Sequence, residues 1–168
     1  MKMPYCTRFV ILTSALLLSL PSWADIFEGR VVGISDGDTV TVLDASKTQF
    51  KIRLQGIDAP EKKQAFGNKS KEALSTLLFN NQVAVEYSKK DKYGRILGKI
   101  LVDGVDANLE QIKAGMSWHY KKYQHEQSEN DRNLYAQAEA EAREEKRGLW
   151  VDADPVPPWE WRKSRISD

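Results

Sequence analysis

Two short acidic segments carry the first chemical signal in this chain. One is Ser35-Asp36-Gly37-Asp38-Thr39 and the other is Asp58-Ala59-Pro60-Glu61, with Asp38 and Asp58 twenty positions apart. Carboxylates, a backbone carbonyl and water suit a hard divalent cation such as Ca²⁺ or Mg²⁺. No His/Cys cluster competes for a softer metal, because His119 and His125 do not have zinc-motif spacing. Taken alone, Asp-Gly is a common turn and Asp58-Ala59-Pro60-Glu61 reads equally well as a capped loop. Two arginines stand close by: Arg53, five residues before Asp58, and Arg95, after Lys92-Tyr93-Gly94. The bland reading is a pair of salt-bridged surface arginines. The functional one is a guanidinium clamp on a phosphodiester. Cation, arginines and a glutamate able to orient or deprotonate water are the parts that phosphoryl transfer needs.

The elements that must bring these groups together are legible from periodicity. Val40-Thr41-Val42-Leu43 alternates, Asp44-Ala45-Ser46-Lys47 reads as a turn, and Gln49 to Leu54 alternates again. That is a β-hairpin, and it returns the end of its second strand to the start of its first, so Asp38 and Asp58 can face each other. A first strand is expected over residues 26–34, with glycines marking bulges or close backbone contacts. Ala73, Leu74, Leu77 and Leu78 form a helical stripe within residues 70–79. Strands four and five are expected at residues 82–87 and 95–102, joined by a charged turn over 88–94. Asp106 would cap a short helix that Gly115 ends, and Ser128 would cap a longer one over 129–147, with Leu134, Tyr135, Ala138 and Ala142 as its apolar face. Five short strands with about three helices predict an α+β protein with a mainly β core, a five-stranded OB-type barrel. An open α+β sheet with helices on one face is the alternative.

Composition sets outer bounds. Lys2 and Arg8 precede a mostly apolar run of twelve residues, Phe9 to Leu20, and Ser22-Trp23-Ala24 fits a cleavage site, so residues 1–24 read as a signal peptide. The run is shorter than the ~20 residues a membrane span requires. Cys6, the only cysteine, falls in that leader, so the rest of the chain has neither disulfides nor thiolate metal sites. The remaining 144 residues suffice for one domain, expected over 25–152, followed by an irregular Pro/Trp-containing tail over 153–168. Outside the leader, 23 basic residues meet 24 acidic ones. Any polyanion site must then be a local patch, since net charge alone supplies no attraction. The expected product is exported, periplasmic or secreted, free of the membrane after leader removal, and monomeric.

Ile34-Ser35-Asp36-Gly37-Asp38-Thr39-Val40, Arg53-Leu54 with Ile57-Asp58-Ala59-Pro60-Glu61, and Asp91-Lys92-Tyr93-Gly94-Arg95 resemble the signature segments of the staphylococcal nuclease (thermonuclease) family. Lesser similarities follow in Val105-Asp106-Ala107-Asn108, Ala114-Gly115-Met116-Ser117-Trp118 and residues 138–150, so the resemblance spans nearly all of 26–150. It implies a Ca²⁺-dependent phosphodiesterase acting on single-stranded or locally opened DNA and on RNA. Such enzymes cleave the 5′ P–O bond and leave 3′-phosphate ends. By motif position, Asp38, Asp58 and the backbone carbonyl of Ala59 would ligate Ca²⁺, and Asp36 would support that region indirectly. Glu61 would be the general base, and Arg53 and Arg95 would hold the phosphate. Position 59 is Ala where the best-known member has Thr, which preserves a main-chain ligand but no hydroxyl. The loop after Glu61 is also shorter than in that member. Tyr93, Tyr120 and Tyr123 are candidates for nucleotide stacking, with Lys92 for a second phosphate; packing within a loop is the competing reading for Tyr120 and Tyr123. His119 and His125 are expected at the surface or on the substrate side. The alternative to an enzyme is a catalytically silent barrel of the same type, serving as a nucleic-acid or protein binding module.

Overall fold

The computed structural model describes residues 25–165. The expected signal peptide, residues 1–24, lies outside them. β1 (Asp25–Asp36), β2 (Thr39–Asp44) and β3 (Gln49–Leu54) form an antiparallel meander, followed by the two-residue β4 (Ile57–Asp58). The hairpin register pairs Thr39 with Arg53 and Val40 with Ile52. Helix α1 (Gly67–Leu78) leads to β5 (Gln82–Lys90) and β6 (Ile96–Val102). The short β7 (Val105–Asp106), α2 (Ala107–Lys113) and β8 (Trp118–His119) come next, then α3 (Glu129–Glu144) and α4 (Pro158–Ser164). Among the described residues no helix is long and apolar enough to cross a membrane.

The five long strands follow the order β3-β2-β1-β5-β6, and β6 returns to pair with β3 in parallel, Ile52 opposite Ile96 and Leu54 opposite Gly98. That closing pair makes an OB-type barrel and excludes the open sheet, because each of the five long strands is paired on both sides. Val40, Val42, Ile52, Leu54, Val85 and Ile100 point inward and are fully or almost fully buried. β1 bends through register shifts after Val31 and after Ile34, around Gly33, and so reaches both β2 and β5. Leu74 and Leu78 of α1, with Ile112 of α2 and Tyr135 of α3, close the core.

The structure departs from the sequence reading in several places. Pairing of β5 with β6 continues to Lys90–Ile96 across a shift between Tyr87 and Lys89, so the charged turn is shorter than expected and covers 91–95, Arg95 included. Helix α1 starts at Gly67, three residues early, with Phe66 in the left-handed region at φ 64°. On α3, Tyr135, Ala138 and Ala142 are buried as their spacing predicts, but Leu134 is 42% exposed. Glu139 takes the inward place beside them, since its carboxylate accepts from the His119 backbone N–H and from Lys121. The tail is not irregular: Pro157-Pro158 starts helix α4, with Pro158 at the first helical position, where a missing N–H costs nothing.

Candidate active site

β2 and β4 place the two acidic segments side by side at the barrel mouth. The chain turns from β1 into β2 at Gly37, and there is no room there for another side chain: a Cβ on Gly37 would stand 1.9 Å from Ser70 Oγ and 2.8 Å from Ala59 Cβ. Gln111 Nε2 donates to the Gly37 carbonyl over 2.8 Å and to the Ser70 carbonyl over 3.1 Å, fixing the turn from helix α2. Asn108, also on α2 and fully buried, donates to the carbonyls of Gln55 and Gly98. These buried amides were not singled out as site-forming in the sequence; polar residues on the inner face of a short helix are the signal that would have found them.

The geometry converges on one atom. Arg53 Nη2 lies 3.0 Å from Asp38 Oδ2 and 2.8 Å from Asp58 Oδ1. Its Nη1 donates to the carbonyls of Leu54 and Ile57, which fixes the guanidinium plane. Asp38 Oδ2 also accepts from the Ala59 backbone N–H over 2.7 Å, a bond between segments 21 residues apart. Asp38 Oδ1 accepts from Thr39, and Asp36 Oδ1 accepts from the Asp38 backbone N–H. Desolvation by burial pushes the Asp38 carboxyl up to about 7; Arg53 pulls it down, while Asp36 and Asp58 raise it further. The shift comes mainly from burial, and a cation bound beside Asp38 would favour its charged form.

Among the described residues, no group of three or more His, Cys, Asp or Glu side chains gathers into a cluster that could hold a metal. The donor set here is smaller, two converging carboxylates with a backbone carbonyl next to Asp58. It is all oxygen and fits a hard cation that keeps several waters.

The surrounding cleft, about 630 Å³, is lined by all the residues expected to act: Asp38, Asp58, Ala59, Glu61, Arg53, Arg95, Lys92, Tyr93, Tyr120 and Tyr123. Arg95 does not reach the acidic pair. Its Nε donates to Asp91 Oδ2 over 2.7 Å, and Asp91 Oδ1 accepts from the backbone of both Tyr93 and Arg95. Burial alone would raise the Asp91 carboxyl, but the hydrogen bonds from Arg95 and Tyr93 hold it below the usual range. Tyr93 is 72% exposed, with the Lys92 ammonium 5.0 Å from its ring centre. Tyr120 and Tyr123 meet edge to face at 5.0 Å, and Tyr120 stacks on Trp159 of α4 at 5.3 Å and 12°. Burial raises the Tyr120 hydroxyl pKa, as does the Asp58 charge.

The two histidines separate. His125 is exposed, as expected. His119 is not: it is 1% exposed on β8, its Nε2 pairs with Gln127 Oε1 at 2.9 Å, and its Nδ1 has no protein partner. Pairing of β8 with β4 draws it inside, opposite Ile57.

A cleft residue that contacts the acidic pair directly was absent from the sequence reading. Arg162, on α4, donates from Nη2 to Asp58 Oδ2 at 2.8 Å and from Nη1 to Glu61 Oε1 at 2.8 Å and Asp58 Oδ1 at 3.2 Å. Its position a turn after Trp159 in a Pro-led segment was the available signal.

Barrel and cleft together define the class: an OB-type α+β protein with an acid–arginine site at the barrel mouth. The model for staphylococcal nuclease homologues matches residues 51–152. The chain is 45% identical to an uncharacterized endonuclease of Escherichia coli over 88% of this chain and 94% of that protein. It is 39% identical to a micrococcal nuclease of Shigella flexneri over 94% and 92% of the two chains, and 42% identical to an uncharacterized endonuclease of Haemophilus influenzae over 93% and 86%. The chain belongs to the staphylococcal nuclease family, and it is a nuclease.

Proposed function

We propose that this nuclease is a Ca²⁺-dependent phosphodiesterase that hydrolyses DNA and RNA with little sequence preference, cleaving the 5′ P–O bond and leaving 3′-phosphate ends. The observation that supports the proposal is that Asp38 Oδ2 and Asp58 Oδ1 stand side by side at the barrel mouth, both within 3.0 Å of Arg53 Nη2. Asp38, Asp58 and the Ala59 carbonyl would hold the cation. When bound, it would neutralise phosphate charge and make a nearby water more acidic. Glu61 would orient that water and take its proton as the water oxygen attacks phosphorus. Arg53 and Arg95 would bind the phosphate oxygens whose charge grows in the transition state. The bond to the 5′ oxygen breaks, and Arg95 would steady that oxygen until it is protonated from solvent. Lys92 would meet a neighbouring phosphate. Tyr93, Tyr120 and Tyr123 would offer aromatic faces to bases, which tolerates any base because every base has a π-face.

We read the protein as an exported monomer, periplasmic or secreted, in a compartment where Ca²⁺ is plentiful. The purified protein should cut single-stranded DNA, duplex DNA and RNA with Ca²⁺, and excess chelator should abolish cutting. Tight binding of nucleic acid without cleavage under either Ca²⁺ or Mg²⁺ would replace this reading with the silent binding module.

A further inference from the structure

Helix α4 brings a second guanidinium onto the same carboxylates that Arg53 holds. Between them the two arginines engage every Asp58 oxygen: Oδ1 accepts from Arg53 and Arg162, and Oδ2 accepts from Arg162. Arg162 also spans from Asp58 to Glu61, so it bridges an expected cation ligand and the expected base. A divalent cation on Asp58 would compete for lone pairs that Arg162 occupies, and Arg162 also engages Oε1, one of the two Glu61 oxygens open to a water.

The two arginines are not equally fixed. Arg53 lies on a barrel strand, is 13% exposed and is pinned by two backbone carbonyls. Arg162 is 41% exposed on the seven-residue helix α4, beyond the Pro155-Val156-Pro157 segment. Its docking is local: Pro158 is buried, Trp159 packs on Tyr120 and Trp118, and Gln64 Nε2 donates to the Val156 carbonyl.

We propose that Arg162 is a tethered counter-cation that competes with the divalent cation for Asp58, and that cation binding requires α4 to shift Arg162 off the carboxylates. The C-terminal helix is then an autoinhibitory element, and the apparent cation affinity is the intrinsic affinity reduced by the fraction of molecules with Arg162 displaced. This rests on the cation reading of the site given above. Its corollary is that nucleic acid, whose phosphate also attracts a guanidinium, assists the cation by drawing Arg162 away from Asp58.

The test is calorimetric titration of Ca²⁺ alone into the full-length protein and into Arg162→Gln and Lys163→Gln, with circular dichroism to establish that each is folded. Lys163 bonds Glu160 on its own helix and serves as a control for loss of one positive charge. Arg162→Gln should bind Ca²⁺ about tenfold more tightly than wild type if about one molecule in ten has Arg162 displaced at rest. Lys163→Gln should change affinity far less. Indole fluorescence from the Trp159 stack should respond to Ca²⁺ in the wild type with the calorimetric midpoint. Equal or weaker affinity in Arg162→Gln overturns the proposal, as does an equal gain in both variants, which would be a general charge effect; either result leaves the cation reading standing. Absence of Ca²⁺ binding in every protein overturns both.

Discussion

Gln111 donates from Nε2 to the carbonyl of Gly37 over 2.8 Å, a bond between α2 and the acidic turn that spans 74 residues. Both partners are buried, so losing the donor leaves the Gly37 carbonyl without this partner in a dry place. Gln111→Ala should lower stability by about 1–3 kcal/mol, measured by urea denaturation. It should also loosen the Asp36–Asp38 turn, so nucleolytic kcat/KM should fall more than the folded fraction does. An unchanged unfolding midpoint would show that the bond contributes nothing.

Glu61, the proposed base, is partly exposed and pairs with Arg162. Glu61→Gln keeps shape but removes basicity, so kcat should fall by roughly 10²–10⁴ while KM and thermal midpoint stay near wild type. Near-normal turnover would remove Glu61 from the role of base.

Arg95 reaches the cleft from its bond to Asp91. Arg95→Ala should lower kcat by roughly 10²–10³, the usual effect of losing a transition-state hydrogen-bond donor. Asp91→Asn leaves the guanidinium in place but weakens its tether, so its loss of kcat should be smaller. If Asp91→Asn were the more damaging of the two, Asp91 would have a role of its own rather than one through Arg95.

His119 titrates against the fold. Burial lowers its pKa below 6.5, outweighing the raising effects of Gln127 and the Glu139 charge; Lys121 lowers it further. Between the folded pKa and 6.5 the unfolded chain binds more protons, so stability rises with pH there. The contribution of neutral His119 is present above 6.5 and is lost as pH falls from that value toward the folded pKa. Thermal midpoints measured from pH 7.5 downward should decline through this range, and His119→Gln should flatten that segment of the profile. An identical slope in the variant would assign the decline to other groups.

How far the sequence reaches can be judged from particular residues. The β2–β3 hairpin was visible because period-two alternation surrounds a turn, and Thr39–Arg53 pairing is what that pattern requires. The caps were visible too: Asp106 accepts from the Leu109 N–H, and Ser128 from the Asp131 N–H. The long strands, the α2 and α3 helices and the shared location of Asp38, Asp58, Arg53 and Glu61 all follow from local patterns plus the geometry of one hairpin.

What only the tertiary structure decided lies where distant segments meet. Barrel closure needs the parallel β3–β6 pair, whose members are more than forty residues apart and carry no mark of each other. Burial of His119 depends on β8 finding β4, and burial of Glu139 on its partners beyond α3, the His119 N–H and Lys121. Arg162 lies 104 residues from Asp58. Its local sequence states only that it is charged and follows a tryptophan. Periodicity reports which face of an element is apolar, because that is a property of neighbouring residues. Which groups share a site is decided by long-range packing, here by Trp159 docking on Tyr120 and carrying the guanidinium to the carboxylates.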